Sequence, residues 1–300
     1  MRVLGIDIGG TRIKAALLEH RQVVDRQTQA TPQRPEAVVR LVATWAQAYA
    51  PLDGIGIGVP GMVDEQGVIR FPPNLPAFHG FPLREAVASA TGVATRVEND
   101  ADVYALGEWR YGAAQGSRFA LVVTLGTGVG TGMIVDGRIL RGFQGAGGEG
   151  GHIVVDPHGP TCFCGNRGCL EAYVGEVHFV EHARRRLQSQ RHPVPPTLNA
   201  QWLAEQARTG NPLCQELWHE FGHHLGIGLA TLIHVLGPEV VVLGGGLAGA
   251  FDLFHESLHQ ELARRVMGYG QRPLQVKPGQ LGDLAGPLGA LALFDLGETP

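Results

Sequence analysis

The sequence predicts a duplicated α/β protein, two domains built on mixed sheets covered by helices, with an interdomain cleft. The first observation behind this is a repeat. Residues 3–24, VLGIDIGGTRIKAALLEHRQVV, read as strand, glycine turn, strand, polar turn and third strand, and residues 120–140, ALVVTLGTGVGTGMIVDGRIL, follow the same plan. DIGGT at Asp7–Thr11 answers TLGTG at Thr124–Gly128, and Glu19-His20-Arg21 answers Asp136-Gly137-Arg138 at the hairpin turn. A second observation is the alternation of strand-like and helix-like segments between the repeats. The third is glycine, 44 of 300 residues, gathered into runs such as GTGVGTG, GAGGEGG and GGG. Clustered glycine marks close backbone approach to a ligand.

Each element follows in order. Residues 36–50, EAVVRLVATWAQAYA, have helical periodicity with Val39, Val42 and Ala46 on one face. Residues 53–59, DGIGIGV, form a buried strand ending at Pro60-Gly61. Helical patterns are expected at 82–91 and 100–112, on either side of a short strand at 93–97. After residue 170 the chain is largely helical, over 170–190, about 199–209 and 212–236. A buried strand, Val240–Leu243, then runs into Gly244-Gly245-Gly246 and another helix. Three prolines make Gln190–Thr197 a loop, and residues 286–294 form a short apolar helix that must pack on something.

Composition narrows the function. The chain has room for two hydrophobic cores. Its formal charge of −4, with both signs mixed, argues against a nucleic-acid protein, which normally shows a basic stripe. No apolar run is long enough to span a bilayer, and MRVLGIDIGG enters a strand with no cleavable leader ahead of it. The expectation is a cytoplasmic protein without nucleic-acid or membrane partners. In that reducing compartment, closely spaced cysteines are metal ligands before they are disulfides. Cys214, set apart in LCQELW, reads as a buried thiol.

Three glycine loops can hold a nucleotide. Asp7 ends a strand beside Gly9, Gly10 and Thr11, where backbone N–H groups can approach phosphate oxygens, Lys14 follows, and Asp7 can hold Mg²⁺. Gly126, Thr127 and Gly128 offer a second such turn, with a further hydroxyl at Thr131. Gly245 and Gly246, opening a helix after a buried strand, offer a third. Neither hairpin loop is a Walker A or dinucleotide fingerprint. The chemistry falls to Glu98-Asn99-Asp100, at a strand-to-helix junction. There Asp100 can take a proton from a substrate hydroxyl, or it and Asn99 can simply cap the helix. Asn74, in a turn-like segment, is a turn residue or a hydroxyl ligand. The segment GEGGHIVVDPHGPTCFCGNRGCLE supplies one imidazole and three thiolates, His152, Cys162, Cys164 and Cys169, as a closed structural zinc takes. Glu149 and Glu171 flank it, as surface acids or as grips for sugar hydroxyls. His219, His223 and His224 read as packed or solvated helix residues.

Together these residues resemble the ROK family of sugar kinases over essentially the whole chain. The matching pieces are DIGGTRIK at 7–14, VPGMVD at 59–64, END at 98–100, LGTGVGTG at 125–132, GGEGGH at 147–152, CFCGNRGCLE at 162–171 and LGGGL at 243–247. The resemblance implies an actin-like, ribonuclease-H-type duplicated fold, with a small domain of residues 1–115 plus 287–300 and a large domain of residues 116–286 carrying the zinc loop. It implies ATP, Mg²⁺ and structural Zn²⁺, with Asp100 as general base toward the 6-hydroxyl of a hexose. Asn99, Glu149, His152 and Glu171 match positions that hold sugar hydroxyls. A homodimer or higher homo-oligomer is expected.

Pro73-Asn74-Leu75 and Pro82-Leu83 look like the glucokinase branch, so glucose is expected first and mannose second. An N-acetylated hexosamine or fructose is the alternative substrate. A non-catalytic sugar sensor and a partner-moving ATPase are alternatives of another class. Because Asp7 opens the kinase core almost at once, the repressor branch with its added N-terminal helix-turn-helix is not expected. Gly150 departs from the larger apolar residue of many relatives, and a looser pocket is expected from it.

Overall fold

The computed structural model describes residues 1–20 and 22–295. Arg21 of the predicted hairpin turn, and residues 296–300 of the 287–300 segment assigned to the small domain, lie outside the described residues. The chain runs through β1 (Arg2–Ile8), β2 (Arg12–Glu19), β3 (Gln22–Ala30), α1 (Pro35–Ala48), β4 (Gly54–Val59), β5 (Met62–Val63), β6 (Ile69–Arg70), α2 (Leu83–Thr91), β7 (Thr95–Asn99) and α3 (Asp100–Tyr111). Next come β8 (Ala120–Leu125), β9 (Val129–Val135), β10 (Arg138–Ile139), α4 (Glu171–Val174), α5 (Glu176–Ser189), α6 (Ala200–Arg208) and α7 (Pro212–Leu236). The last elements are β11 (Val240–Gly244), α8 (Phe251–Arg265), β12 (Gln275–Pro278) and α9 (Ala285–Asp295).

The strands form two five-stranded sheets, ordered β3-β2-β1-β4-β7 and β10-β9-β8-β11-β12, with β5 and β6 pairing apart. Position for position the two orders are the same: an antiparallel meander followed by parallel strands. The duplication read from the glycine hairpins is therefore a duplication of topology. By compactness the chain divides into a first unit of Met1–Arg118, Gly132–Gly148 and Gln280 onward, and a second of Phe119–Thr131 with Glu149–Gly279. Residues 116–118, 132–148 and 280–286 thus group by compactness with the first unit, whereas the boundaries expected from the sequence place them in the second.

In the first unit β1 and β4 are buried on both faces, and their Ile, Leu and Val residues make them central strands. Val38 and Val42 of α1 and Leu83 and Val87 of α2 cover one face with Ile6, Ile8, Ile55 and Ile57. The other face takes α9. There β4 carries glycine because a side chain does not fit: a Cβ on Gly56 would lie 2.3 Å from the Ala290 carbonyl oxygen, and one on Gly54 would enter the Phe294 ring. Arg96 of β7 donates to the Leu293 carbonyl and lies 5.0 Å over the Phe294 ring, tying down the end of α9.

Several elements escape the sequence pattern. β3 continues to Ala30, past the expected end at 24, because this edge strand is exposed almost throughout and carries polar residues. The helix expected over 170–190 is two helices, since Gly175 is extended (φ −74°, ψ 139°) and divides α4 from α5. β12 is a four-residue edge strand, QVKP, without a buried residue.

Helices α3 and α9 approach through glycine. A Cβ on Gly289 would sit 1.7 Å from the Val103 oxygen, and one on Gly107 would sit 2.2 Å from the Ala285 oxygen. Intrinsic propensity favours alanine over glycine in a helix by about 1 kcal/mol, but here the clash outweighs it. Gly289→Ala is expected to lower unfolding stability by about 1–3 kcal/mol in urea titration. Gly249→Ala, in open space, should stay within about 0.5 kcal/mol of the wild type. Equal stability of all three proteins would contradict this packing.

Candidate active site

Strand register sets the first unit's functional end. Asp7 pairs across to Lys14 on one side and to Gly58 on the other, and Gly58 pairs to Glu98. Asp7 and the Glu98-Asn99-Asp100 turn therefore stand at the same carboxyl end of three parallel neighbours, where open α/β sheets bind ligands. Burial holds the Asp7 carboxyl above the usual carboxylate range, opposed by the Lys14 ammonium, with Asp283 adding to the rise. Lys14 Nζ donates to Asp283 at 3.0 Å. The turn after β1 is pinned by its own backbone: Gly9 N–H donates to the Arg12 carbonyl at 2.9 Å, and the Thr31 hydroxyl donates to the Gly9 carbonyl at 2.6 Å. Asn74 packs on this turn, since a Cβ on Gly10 would touch the Asn74 Cβ at 3.0 Å.

Asn99 is the N-cap of α3. Its Oδ1 accepts from Ala101 N at 2.9 Å and Asp102 N at 3.1 Å, while its amide nitrogen donates to the Gly61 carbonyl at 3.1 Å. Asp100, half-buried, is the first residue of the helix, and its Oδ1 accepts from Ala101 N at 2.9 Å. Capping thus falls chiefly to Asn99, and Asp100 stands beside it at the carboxyl end of the parallel strands.

The second unit gathers its own set. His152 Nδ1 and the Sγ atoms of Cys162, Cys164 and Cys169 all lie within 4.8 Å of one another, the one such group of donors among the described residues. Cys164 and Cys169 Sγ are 3.7 Å apart, and Cys162 Sγ is 3.7 Å from His152 Nδ1. Zn–S bonds of about 2.3 Å in a tetrahedron require S–S edges of about 3.8 Å, so the donors fit zinc in kind and spacing. The turns between them need glycine: Gly165 (φ +90°) and Gly168 (φ +68°) are left-handed, and a Cβ on Gly168 would strike the Asp156 carbonyl at 1.6 Å. Burial raises the Cys162 thiol above its ordinary range, a direction a bound dication reverses.

Around this cluster stand two acids. His152 Nε2 faces Glu149 Oε2 at 4.0 Å. Desolvation raises the Glu149 carboxyl, with His152 opposing and Glu171 adding. Glu171 opens α4 and accepts from Val129 N at 2.9 Å, and its other oxygen lies 3.6 Å from Cys162 Sγ. It also forbids a side chain at Gly128, whose Cβ would meet its Oε2 at 2.3 Å. The Gly126–Gly128 turn, closed by Gly126 N to Gly128 O at 3.0 Å, is thus joined to the cysteine loop. Gly245 (φ +82°), followed by exposed Gly246, packs on the same turn, since a Cβ there would lie 2.4 Å from the Leu125 oxygen. Thr127 is exposed, whereas the Thr131 hydroxyl is buried and accepts from Gly150 N at 2.8 Å.

Gly150 leaves no gap for a looser pocket. A Cβ there would meet Thr131 Oγ1 at 2.7 Å and Leu232 at 3.1 Å, so those two side chains fill its space. Sequence reasoning also missed Arg141, Asp283 and the fully buried Glu108, which accepts from Ala113, Gln280 and Leu281 N–H groups. None carries a local signal, because their partners are distant in sequence or are backbone.

Residues 3–296 match the ROK family. The chain belongs to the ROK family. Glucokinase of Thermotoga maritima is 32% identical over 310 residues, covering 98% of this chain and 97% of its own. Among solved structures, a ROK family glucokinase from Streptomyces griseus in complex with glucose and AMPPNP superposes with a TM-score of 0.86 at 32% identity, over 98% of this chain and 99% of that one. The ROK hexokinase from Thermus thermophilus gives 0.79 at 35% identity, over 98% and 100%. The two matched sheets are those of this actin-like ROK kinase fold.

The predicted helical histidines lie on α7. His223 pairs with Glu261 at 3.1 Å. His224 stacks on Tyr173 at 4.0 Å, two residues past Glu171, and Tyr173 donates to Asp156 at 3.2 Å. Desolvation, with His223 and His182 nearby, pushes His224 down to about 4, against the opposing charges of Glu220 and Asp156. The unfolded chain, with histidine near 6.5, binds this proton first, so stability is lost as pH falls from 6.5 toward 4. His224→Phe keeps a ring in the stack and should lose less stability than the wild type across that window in pH-dependent thermal melts. Parallel profiles would contradict the assignment.

Proposed function

We propose that this ROK protein is an ATP-dependent hexokinase that phosphorylates the 6-hydroxyl of an aldohexose, glucose first and mannose second. The observation that carries the reading is the strand register of the first unit. It sets Asp7 two strands from the β7–α3 turn, about 10 Å at ordinary strand spacing. That separation suits one carboxylate at a metal-bound phosphate and another at the attacking hydroxyl.

Asp100 takes the proton of the sugar 6-hydroxyl as that oxygen attacks the γ-phosphorus, the bond to the β-phosphate oxygen breaks, and ADP leaves. Asp7 holds Mg²⁺, directly or through water. Bound there, Mg²⁺ neutralises charge on the transferring phosphoryl group and the leaving ADP. Gly9, Gly10, Thr11 and Lys14 of the first unit and Gly126, Thr127 and Gly128 of the second are the proposed phosphate contacts. Gly245 and Gly246 take the ribose and α-phosphate. Asn74, Asn99, Asp100, Glu149, His152 and Glu171 take the sugar hydroxyls. His152, Cys162, Cys164 and Cys169 hold a structural Zn²⁺ that fixes the loop and takes no part in any step. His152 serves twice, with Nδ1 toward the metal and Nε2 toward sugar and Glu149. Reduced thiolates and ATP both suit a cytoplasmic enzyme, here as a homodimer.

A coupled assay for ADP across glucose, mannose, fructose and N-acetylated hexosamines is expected to give the highest kcat/KM with glucose. Highest turnover on an N-acetylated sugar or fructose would move the substrate within the family, and no sugar-dependent ADP release would defeat the kinase reading. Asp100→Asn should keep sugar binding and lower kcat by about 10²–10⁴-fold. A near-normal kcat would remove Asp100 from the chemistry. Metal analysis should find one zinc per chain, and less of it with a lower Tm in Cys164→Ala. A fully active, zinc-free wild type would sink that assignment.

A further inference from the structure

We infer that the ion pair between Glu98 and Arg141 is a positioning device for the sugar site, one that sets the loop leading to Glu149 against the strand end that bears Asp100. The inference rests on the hexokinase reading and adds two residues to it. Glu98 is the first residue of the END turn, and its side chain is 6% exposed. One of its carboxylate oxygens accepts from Arg141 Nε, and the other accepts from the backbone N–H of Asn99 at 3.2 Å. A single carboxylate therefore holds an arginine 43 residues away and the backbone next to Asp100.

The loop that Arg141 begins is held in an unusual backbone conformation. Gly142, Gln144, Gly145 and Gly148 are all left-handed, with φ of 67°, 53°, 73° and 83°. For glutamine that conformation is unfavourable and persists only where the surroundings impose it. The loop closes on itself through Gly147 N to the Arg141 carbonyl at 2.8 Å. It rests on β5 so closely that a Cβ on Gly145 would lie 2.1 Å from the Val63 oxygen. Residue 149 follows directly. Arg141 is thus the side-chain anchor at the loop's start, and its partner is fixed to the turn that carries the base. A pair placed only for stability needs neither the shared carboxylate nor the strained loop.

Steady-state kinetics and thermal melts of three proteins separate positioning from mere support. Arg141→Met leaves a buried, unpaired carboxylate, so Tm falls. Its KM for glucose should rise about ten- to a hundredfold through misplaced contacts, with the KM for ATP within about twofold of the wild type. The double variant Glu98→Gln with Arg141→Met removes the orphaned charge, so Tm should return toward the wild-type value while the glucose KM stays raised. If glucose KM recovers together with Tm, the pair is structural and the inference is overturned. Absence of sugar-dependent turnover in the wild type overturns the hexokinase reading, and the inference with it.

Discussion

Between Gly148 and Leu170 the apolar side chains are sparse: Val154 and Phe163 are exposed, Ile153 and Val155 half-buried, and Leu170 is fully buried against Gly228 of α7. The apolar cluster beneath this loop consists of Cys162, Cys169 and Ala172, and two of those three are donors facing His152 and Cys164. Convergence of one imidazole and three thiols on one point is the constraint on which the rest of the second unit's site depends. It directs Nε2 of His152 toward Glu149. It also brings Glu171 under the Gly126–Gly128 turn, where a hydrogen bond to Val129 N links the loop to the proposed phosphate site. In the proposed reading, a metal there would fix the directions of these side chains and take no part in the reaction, because its four positions would be filled by protein.

In the first unit the corresponding directions are set by packing. Its carboxylates are directed by backbone packing, with β4 glycines admitting α9 against the sheet and Gly107 and Gly289 admitting α9 against α3. Register places Asp7 level with Gly58 and Glu98, and α3 begins two residues after Glu98, at Asp100. The direction of these carboxylates comes from close backbone contact, which larger side chains at the glycines would spoil.

The duplication was legible because its signal is local: a glycine turn between two apolar strands leaves the same trace twice. Asp100 was legible as a junction residue for a similar reason, and the cysteines through their spacing. What stayed hidden is tertiary. The Glu98–Arg141 pair, the Lys14–Asp283 pair and the buried Glu108 have no periodicity to betray them. The break at Gly175 was masked by helix-favouring residues on either side, and β12 by its brevity and polarity. Gly150 shows the limit of reading a missing side chain as a missing volume, since Thr131 and Leu232 had already taken the space.

In the proposed reading the four-donor cluster is architecture for sugar recognition. Titration calorimetry of glucose against metal-loaded and metal-depleted protein, with far-ultraviolet circular dichroism confirming that the depleted protein stays folded, tests it directly. The account predicts that glucose affinity falls by about tenfold or more on depletion, while affinity for a nonhydrolysable ATP analogue changes far less. Equal glucose affinity in a fully depleted, folded protein would contradict it.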